Sequence, residues 1–348
     1  MEKVLLFATG VAIALASCSK EETTGINTGK GIAFRSAMGT RAVETTITNL
    51  EEFKVTALTD EGTPYFVDAL FKKKDGGTTF TSDPVYYWPT EGSLSFYAYA
   101  PSSLSDVTID NSTKSVVFAP AETISQQVDF ITGNASGDKA QNEGNGVELT
   151  FDHRLAQIEV QAKNTNSAYV FKVKGVKIGK PVSSGTFDLG TQKWTSIGNN
   201  KINYTIRYEQ EVQLDATAKN IMDQHGSTVN GNAMLIPQEL TAWDPDTDGN
   251  NNSQNAYLSV LVNIKTKDGA QVYPATQDEY GWAAVGIGTK WESGKKYVYT
   301  LDFSNGAGNI DPEEPENPGG DIFGEGITFE VSVNPWQPAN PYPGDNEI

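Results

Sequence analysis

One cysteine, two histidines and no long apolar stretch bound what this 348-residue chain can be. With Cys18 alone there is no disulfide framework, and Cys18, His153 and His225 are too few for a Cys/His zinc centre. Basic side chains are scarce as well: 26 Lys and Arg stand against 44 Asp and Glu, a formal charge of −18. That balance excludes electrostatic binding to nucleic acid or to an anionic membrane surface, since both are themselves negative. No Gly-X-Ser-X-Gly elbow, phosphate-binding loop or zinc signature occurs, so a hydrolase has little to stand on. Two carboxylates brought together in space, as glycoside cleavage uses, are an arrangement that a sequence does not reveal. Helical periodicity is nearly absent too, which turns attention to strands.

The longest apolar run is residues 4–16, VLLFATGVAIALA. It is too short for a helix to cross a bilayer core of about 30 Å, and after Lys3 it reads as the core of a secretory signal peptide. It ends in Leu15-Ala16-Ser17-Cys18, which resembles the bacterial lipobox. That resemblance implies that residues 1–17 are removed and that the Cys18 thiol carries a diacylglycerol anchor. Residues 18–30 are then a lipidated tether. Its Ser19-Lys20-Glu21-Glu22 start is similar to the surface-export signal of Bacteroidetes lipoproteins, or is an ordinary solvated linker. The expected location is the outer membrane, facing outward.

Period-two alternation fills the rest. Ile202, Tyr204, Ile206 and Tyr208 share one face, as do Leu258, Val260, Val262 and Ile264, and also Tyr297, Tyr299, Leu301 and Phe303. Each stretch predicts a half-buried strand, and short strands between Gly-, Asn- and Asp-rich turns predict an all-β chain of sandwich domains. Residues 133–146, GNASGDKAQNEGNG, form the widest internal break and place a boundary between an N-terminal domain at 31–145 and a C-terminal domain at 146–304. Residues 305–326 are dense in Gly, Pro and acids and read as an extended, mobile linker. Ile327, Phe329, Val331 and Val333 then alternate with polar residues, forming a strand within a terminal segment at 327–348.

Several blocks, taken in order, resemble the fimbrillin family of Bacteroidetes, which includes type V pilus subunits and related surface lipoproteins. They are Gly31-Ile32-Ala33-Phe34 before Thr40-Arg41-Ala42, LEEFKVTA at 50–57, Tyr87-Trp88-Pro89, LSFYAYAP at 94–101, FDHRLAQIEV at 151–160, MLIPQ at 234–238, WESGKKYVYTLDF at 291–303, and 327–336. The resemblance implies two transthyretin-like, Greek-key β-sandwich domains with a C-terminal extension strand, and a structural, adhesive role rather than an enzymatic one. It also implies that an Arg-specific surface protease cuts between Arg41 and Ala42, removing a first strand that holds Ile32 and Phe34. A strand from another subunit, here Ile327, Phe329, Val331 and Val333, would then fill the vacancy by donor-strand exchange. Implied partners are other fimbrillin subunits, the protease, the outer membrane through the lipid before processing, and a host ligand or glycan. Two alternatives stay open: residues 327–333 are the last strand of the second domain, or the chain is a non-polymerising, ligand-binding lipoprotein or a pilus anchor or tip accessory.

Two further features bear on chemistry. Asp244, Asp246 and Asp248 alternate before Gly249, as hard oxygen ligands do in Ca²⁺ loops, but Asn255 stands where a bidentate Glu would be, so a weakly bound Ca²⁺ or a plain polar loop is expected, with no other cofactor. Tyr86, Tyr87, Trp88, Trp194, Trp243 and Trp282 are either sandwich core or a sugar-binding platform.

Overall fold

The computed structural model describes residues 29–38, 50–74, 77–222 and 231–336. Nearly every regular element is a strand. The first nine are β1 (Phe34–Met38), β2 (Glu52–Thr59), β3 (Pro64–Lys73), β4 (Thr79–Ser82), β5 (Ser93–Ala100), β6 (Val107–Ile109), β7 (Lys114–Phe118), β8 (Ile131–Asp138) and β9 (Val147–His153). Seven of them close into a barrel in the order β1-β4-β3-β2-β5-β8-β9, with β9 returning to β1. Every pairing in it is antiparallel except β1 with β9, which is parallel. Alternation decides which side chains face inward: β9 reads buried, exposed, buried along its length, putting Val147, Leu149 and Phe151 in the core. There they meet Phe34, Phe53, Phe71, Phe80 and Phe96, all fully buried.

This barrel corrects the boundary expected at residue 145. Residues 133–138, which look like a break, are strand; β8 pairs with β5 from Ala100↔Ile131 to Ser93↔Asp138. Small residues are there for packing reasons. A Cβ on Gly133 would lie 2.5 Å from the Thr150 carbonyl oxygen, and one on Gly137 would lie 3.1 Å from the Trp88 ring. Only Lys139–Asn142 is helical, α1, capped by the Asp138 side chain, which accepts from the Gln141 N–H at 2.9 Å. A unit ending at 145 would lack β9 and could not close.

The remaining strands are β10 (Ala156–Lys163), β11 (Tyr169–Gly179), β12 (Gly185–Asp188), β13 (Lys193–Ile197), β14 (Tyr204–Gln213), β15 (Lys219–Asn220), β16 (Ala233–Leu235), β17 (Tyr257–Thr266), β18 (Gln271–Tyr273), β19 (Gly281–Gly286), β20 (Lys295–Asp302), β21 (Asn309–Ile310) and β22 (Thr328–Pro335). Two sheets, β15-β10-β20-β22 with β16 on β10, and β14-β11-β17-β19-β21 with β18 on β17, share one large core. A third sheet, β13-β12-β7-β6, joins strands from both halves of the sequence. Arg154 pins the junction: its guanidinium donates to Thr132 Oγ1 at 2.7 Å and to Gln192, and stacks 5.2 Å from the Phe187 ring centroid.

The half-buried expectation fails for β17. Both of its faces are covered, Ser259 and Asn263 included, because the central strand of this sheet has the hydrophobic core on one side and folded-back chain on the other. The Asn263 side chain satisfies itself by donating to the Glu279 carbonyl at 2.6 Å.

Phe34 touches three rings, so Phe34→Ala should cost about 3–5 kcal/mol of barrel stability, read as a lower urea midpoint in the uncleaved chain.

Candidate functional site

The seam of the barrel is β1, the first described element. Phe34 sits edge-on to Phe71 and Phe96, with centroids at 4.7 and 5.1 Å, and 6.0 Å from Phe53. Ile32 is buried beside it, its N–H donating to the Tyr86 carbonyl at 2.7 Å. β1 is bonded to β9 from Phe34↔Val147 to Met38↔Phe151, and to β4 at Phe34↔Phe80 and Arg35↔Thr79. Both neighbours therefore depend on it. Without β1, the facing edges of β4 and β9 would be unpaired and an aromatic trench would lie open, an arrangement that recruits any strand at hand. Arg41, Ala42, Cys18, His225 and residues 337–348 lie outside the described residues.

The second component is the other strand singled out by sequence. β22 pairs antiparallel with β20 from Lys295↔Pro335 to Asp302↔Thr328, so it is the outermost strand of its own chain's sheet. Its burial is shallow: Ile327 is buried, Phe329 and Val331 are partly covered and Val333 is 50% exposed. The residue after the strand lies deep. Trp336 is completely buried, its N–H donating to the Gly294 carbonyl at 3.0 Å and its ring 4.8 Å from that of His153. The indole N–H finds no acceptor among the described residues, so apolar contact does the holding. His153 is itself buried against Asp129, Nδ1 to Oδ2 at 2.6 Å, beneath that indole and closed to solvent.

The segment leading to β22 is not the extended linker expected from composition. Residues 305–326 fold into a hairpin-like excursion, with bridges Gly306↔Gly324 and Asn309↔Asp321 and β21 paired to β19. Charge fixes it. Asp311 is fully buried and ion-paired with Lys177 at 2.9 Å, while Glu313 reaches Lys180 at 2.5 Å and accepts from Asn203 at 2.5 Å. The Lys177 ammonium also lies 4.8 Å over the Trp282 ring. Burial raises the Glu313 carboxyl, but the hydrogen bond from Lys180 and the charges of Lys177 and Lys180 outweigh it and hold the group below its ordinary 4.5. The clamp was invisible in the sequence because its partners are far apart along the chain.

A fimbrillin-like family model matches residues 40–336, most of the chain and every element above except β1. The chain belongs to the fimbrillin-like family. It is therefore a structural, fimbrial or adhesin-like surface subunit. Two solved structures agree at the level of fold. One from Parabacteroides distasonis, provisionally assigned to cell adhesion, superposes with a TM-score of 0.52 at 11% identity, covering 90% of this chain and 98% of its own. Another from Bacteroides ovatus, with the same provisional assignment, gives 0.51 at 17% identity over 90% and 99%. A fimbrilin from Porphyromonas gingivalis gives 0.46 at 13% over 90% and 99%. No curated protein matches the chain.

The other residues singled out by sequence in this fimbrillin-like chain are held in local contacts. Asp244 caps the helical turn Pro245–Asp248 (α2) by accepting from the Asp246 N–H at 3.0 Å, and Asp248 accepts from the Asp244 N–H and from Ser253 and Asn255. Among the described residues no group of three or more His, Cys, Asp or Glu is placed to hold a metal. Trp88, Trp243 and Trp282 are buried and Trp194 packs on Phe130 and Phe187, so these residues are core, not an open platform; Tyr87 alone is well exposed. Among the described residues no helix is long and apolar enough to cross a membrane.

Trp336→Ala should speed amide exchange along Thr328–Pro335 while leaving the barrel amides protected. Asp311→Ala, which leaves the buried Lys177 with only the longer 3.6 Å pair to Glu313, should cost about 1–3 kcal/mol in urea titration. Glu313, held below its unfolded value, stabilises above that value and loses its effect as pH falls through the folded one. The stability gap between wild type and Glu313→Gln should thus shrink below about pH 4.5.

Proposed function

We propose that this chain is a subunit of a cell-surface fimbria of the type V pilus kind, serving adhesion and assembled by donor-strand exchange. On this reading Cys18 carries the lipid that tethers the exported precursor to the outer membrane. The barrel and the two-sheet body correspond to the family's two transthyretin-like domains. An Arg-specific surface protease cuts after Arg41, and Ala42 becomes the first residue. The observation that supports this most is the position of β1. All of it precedes Arg41, so one cut on its C-terminal side severs the seam strand from the barrel it closes.

The energetics favour replacement over a lasting vacancy. Burying Ile327, Phe329, Val331 and Val333 from full exposure is worth roughly 6–12 kcal/mol before ordering costs, an upper bound here because Ile327 is already buried and Phe329 and Val331 partly covered on β20. Backbone ladders along β4 and β9 add to that. Each subunit then accepts one strand and donates another, a head-to-tail relation that does not close on itself and so grows a filament.

The pairing of β22 on its own sheet, with Trp336 buried, favours a second reading, in which the chain is an anchor or a non-polymerising ligand-binding lipoprotein. Mass spectrometry of the surface form separates the two. The fimbrial reading expects Ala42 as the amino terminus, within ladders that survive hot detergent, and expects Arg41→Ala or deletion of 327–348 to leave unlinked subunits. Acylated Cys18 on monomers alone supports the second reading, and ladders that persist without residues 327–348 defeat strand donation.

A further inference from the structure

The two strands that strand exchange would trade begin alike. β1 is entered through Gly31-Ile32-Ala33-Phe34 and β22 through Gly326-Ile327-Thr328-Phe329, one Gly-Ile-X-Phe pattern written twice. The structure shows why the seam asks for each shared residue. A Cβ on Gly31 would fall 2.4 Å from Val85 Cγ1, so any side chain there forces Val85 to turn aside. Ile32 is 1% exposed, and Phe34 fills the pocket of Phe53, Phe71 and Phe96. Beyond the shared residues the incoming strand is the better fit. Ser36 faces inward with its hydroxyl buried and without a partner among the described residues, and the residue in the corresponding place of β22 is Val331. An apolar side chain there removes an unsatisfied hydroxyl.

Resting on the strand-exchange reading above, we propose that the seam is built for β22 of a second copy of this chain, in the direction and register of β1. Gly326 then takes the place of Gly31, Ile327 of Ile32, Phe329 of Phe34 and Val331 of Ser36, with Phe329 opposite Val147 and Val331 opposite Leu149. The donor runs parallel to β9, as β1 does. A second copy is the fitting partner because groove and donor are matched within one sequence, so a single protein suffices for a homopolymer. The donor gains cover for Phe329, Val331 and Val333, only partly covered on β20, and gives up the β20 ladder and the burial of Trp336 in return. One position opposes it. Glu330 would replace Arg35 beside Glu148, a like-charge pair at exposed sites, whose cost is small and screened by salt.

Gly326 gives a sharp test. In its present place an added Cβ meets nothing within 4 Å, so Gly326→Ala should leave the monomer's thermal stability unchanged. In the seam the same methyl would strike Val85, and ladder formation after cleavage by an arginine-specific protease should slow about tenfold or more. Assembly of Gly326→Ala at the wild-type rate overturns the register. Engineered disulfides give an independent reading, since Cys18 departs with the leader. The full chain carrying Thr150→Cys and Ser332→Cys, once cleaved, should form disulfide-linked ladders in detergent without reductant, whereas Thr150→Cys with Glu330→Cys, two residues out of register, should not. Ladders linked only through the second pair overturn the register and leave strand exchange standing. A bond that forms only within monomers overturns the second-copy assignment. Complete cleavage of the wild-type chain with no ladder at all defeats strand exchange itself.

Discussion

A sheet that closes on itself has no edge, and here closure depends on one short strand. β1 supplies hydrogen bonds to β4 and β9 and puts Phe34 at the centre of the aromatic core, so the barrel's integrity is held by the first described strand. In an ordinary domain such dependence on a terminal strand would be a weakness. Under the fimbrial reading proposed above, it would make the order of the barrel conditional on cleavage.

The opposite end of the chain shows the complementary compromise. β22 is satisfied enough to keep its backbone paired in the monomer, yet its side chains are only partly covered, and the burial that secures it is concentrated in Trp336. Strength gathered at one point differs in kind from strength spread along a ladder. A ladder opens bond by bond, whereas a single buried ring is either seated or free.

Sequence alone carried the class of fold and the two strands that matter. Ile32 with Phe34, and the alternation from Ile327 to Val333, are visible because period two survives wherever one face meets water. It fades where that condition fails. β17 is covered on both faces, so Ser259 and Asn263 mark no exterior; the second half of β8 is built on Gly133, Ala135 and Gly137, small for the sake of neighbouring strands, and looks like a loop. The folding of 305–326 was hidden for another reason. Gly, Pro and acids describe a flexible chain until Lys177 and Lys180 are known to lie beneath Asp311 and Glu313. Trp336 sits one step past the alternating run, and nothing local signals its depth.

The clamp at Asp311 also limits how far the chain's end can travel. With 305–325 folded back on itself and stapled to Lys177, a β22 that left its sheet as proposed would pivot near Gly326 rather than pay out a long tether. Ten residues from 327 to 336 span at most about 33–36 Å when extended, nearly all of it taken up by the strand. Molecules joined by such an arm would abut, with no slack between them, and a fibre made this way would resist bending as a rod does instead of yielding like a string of beads.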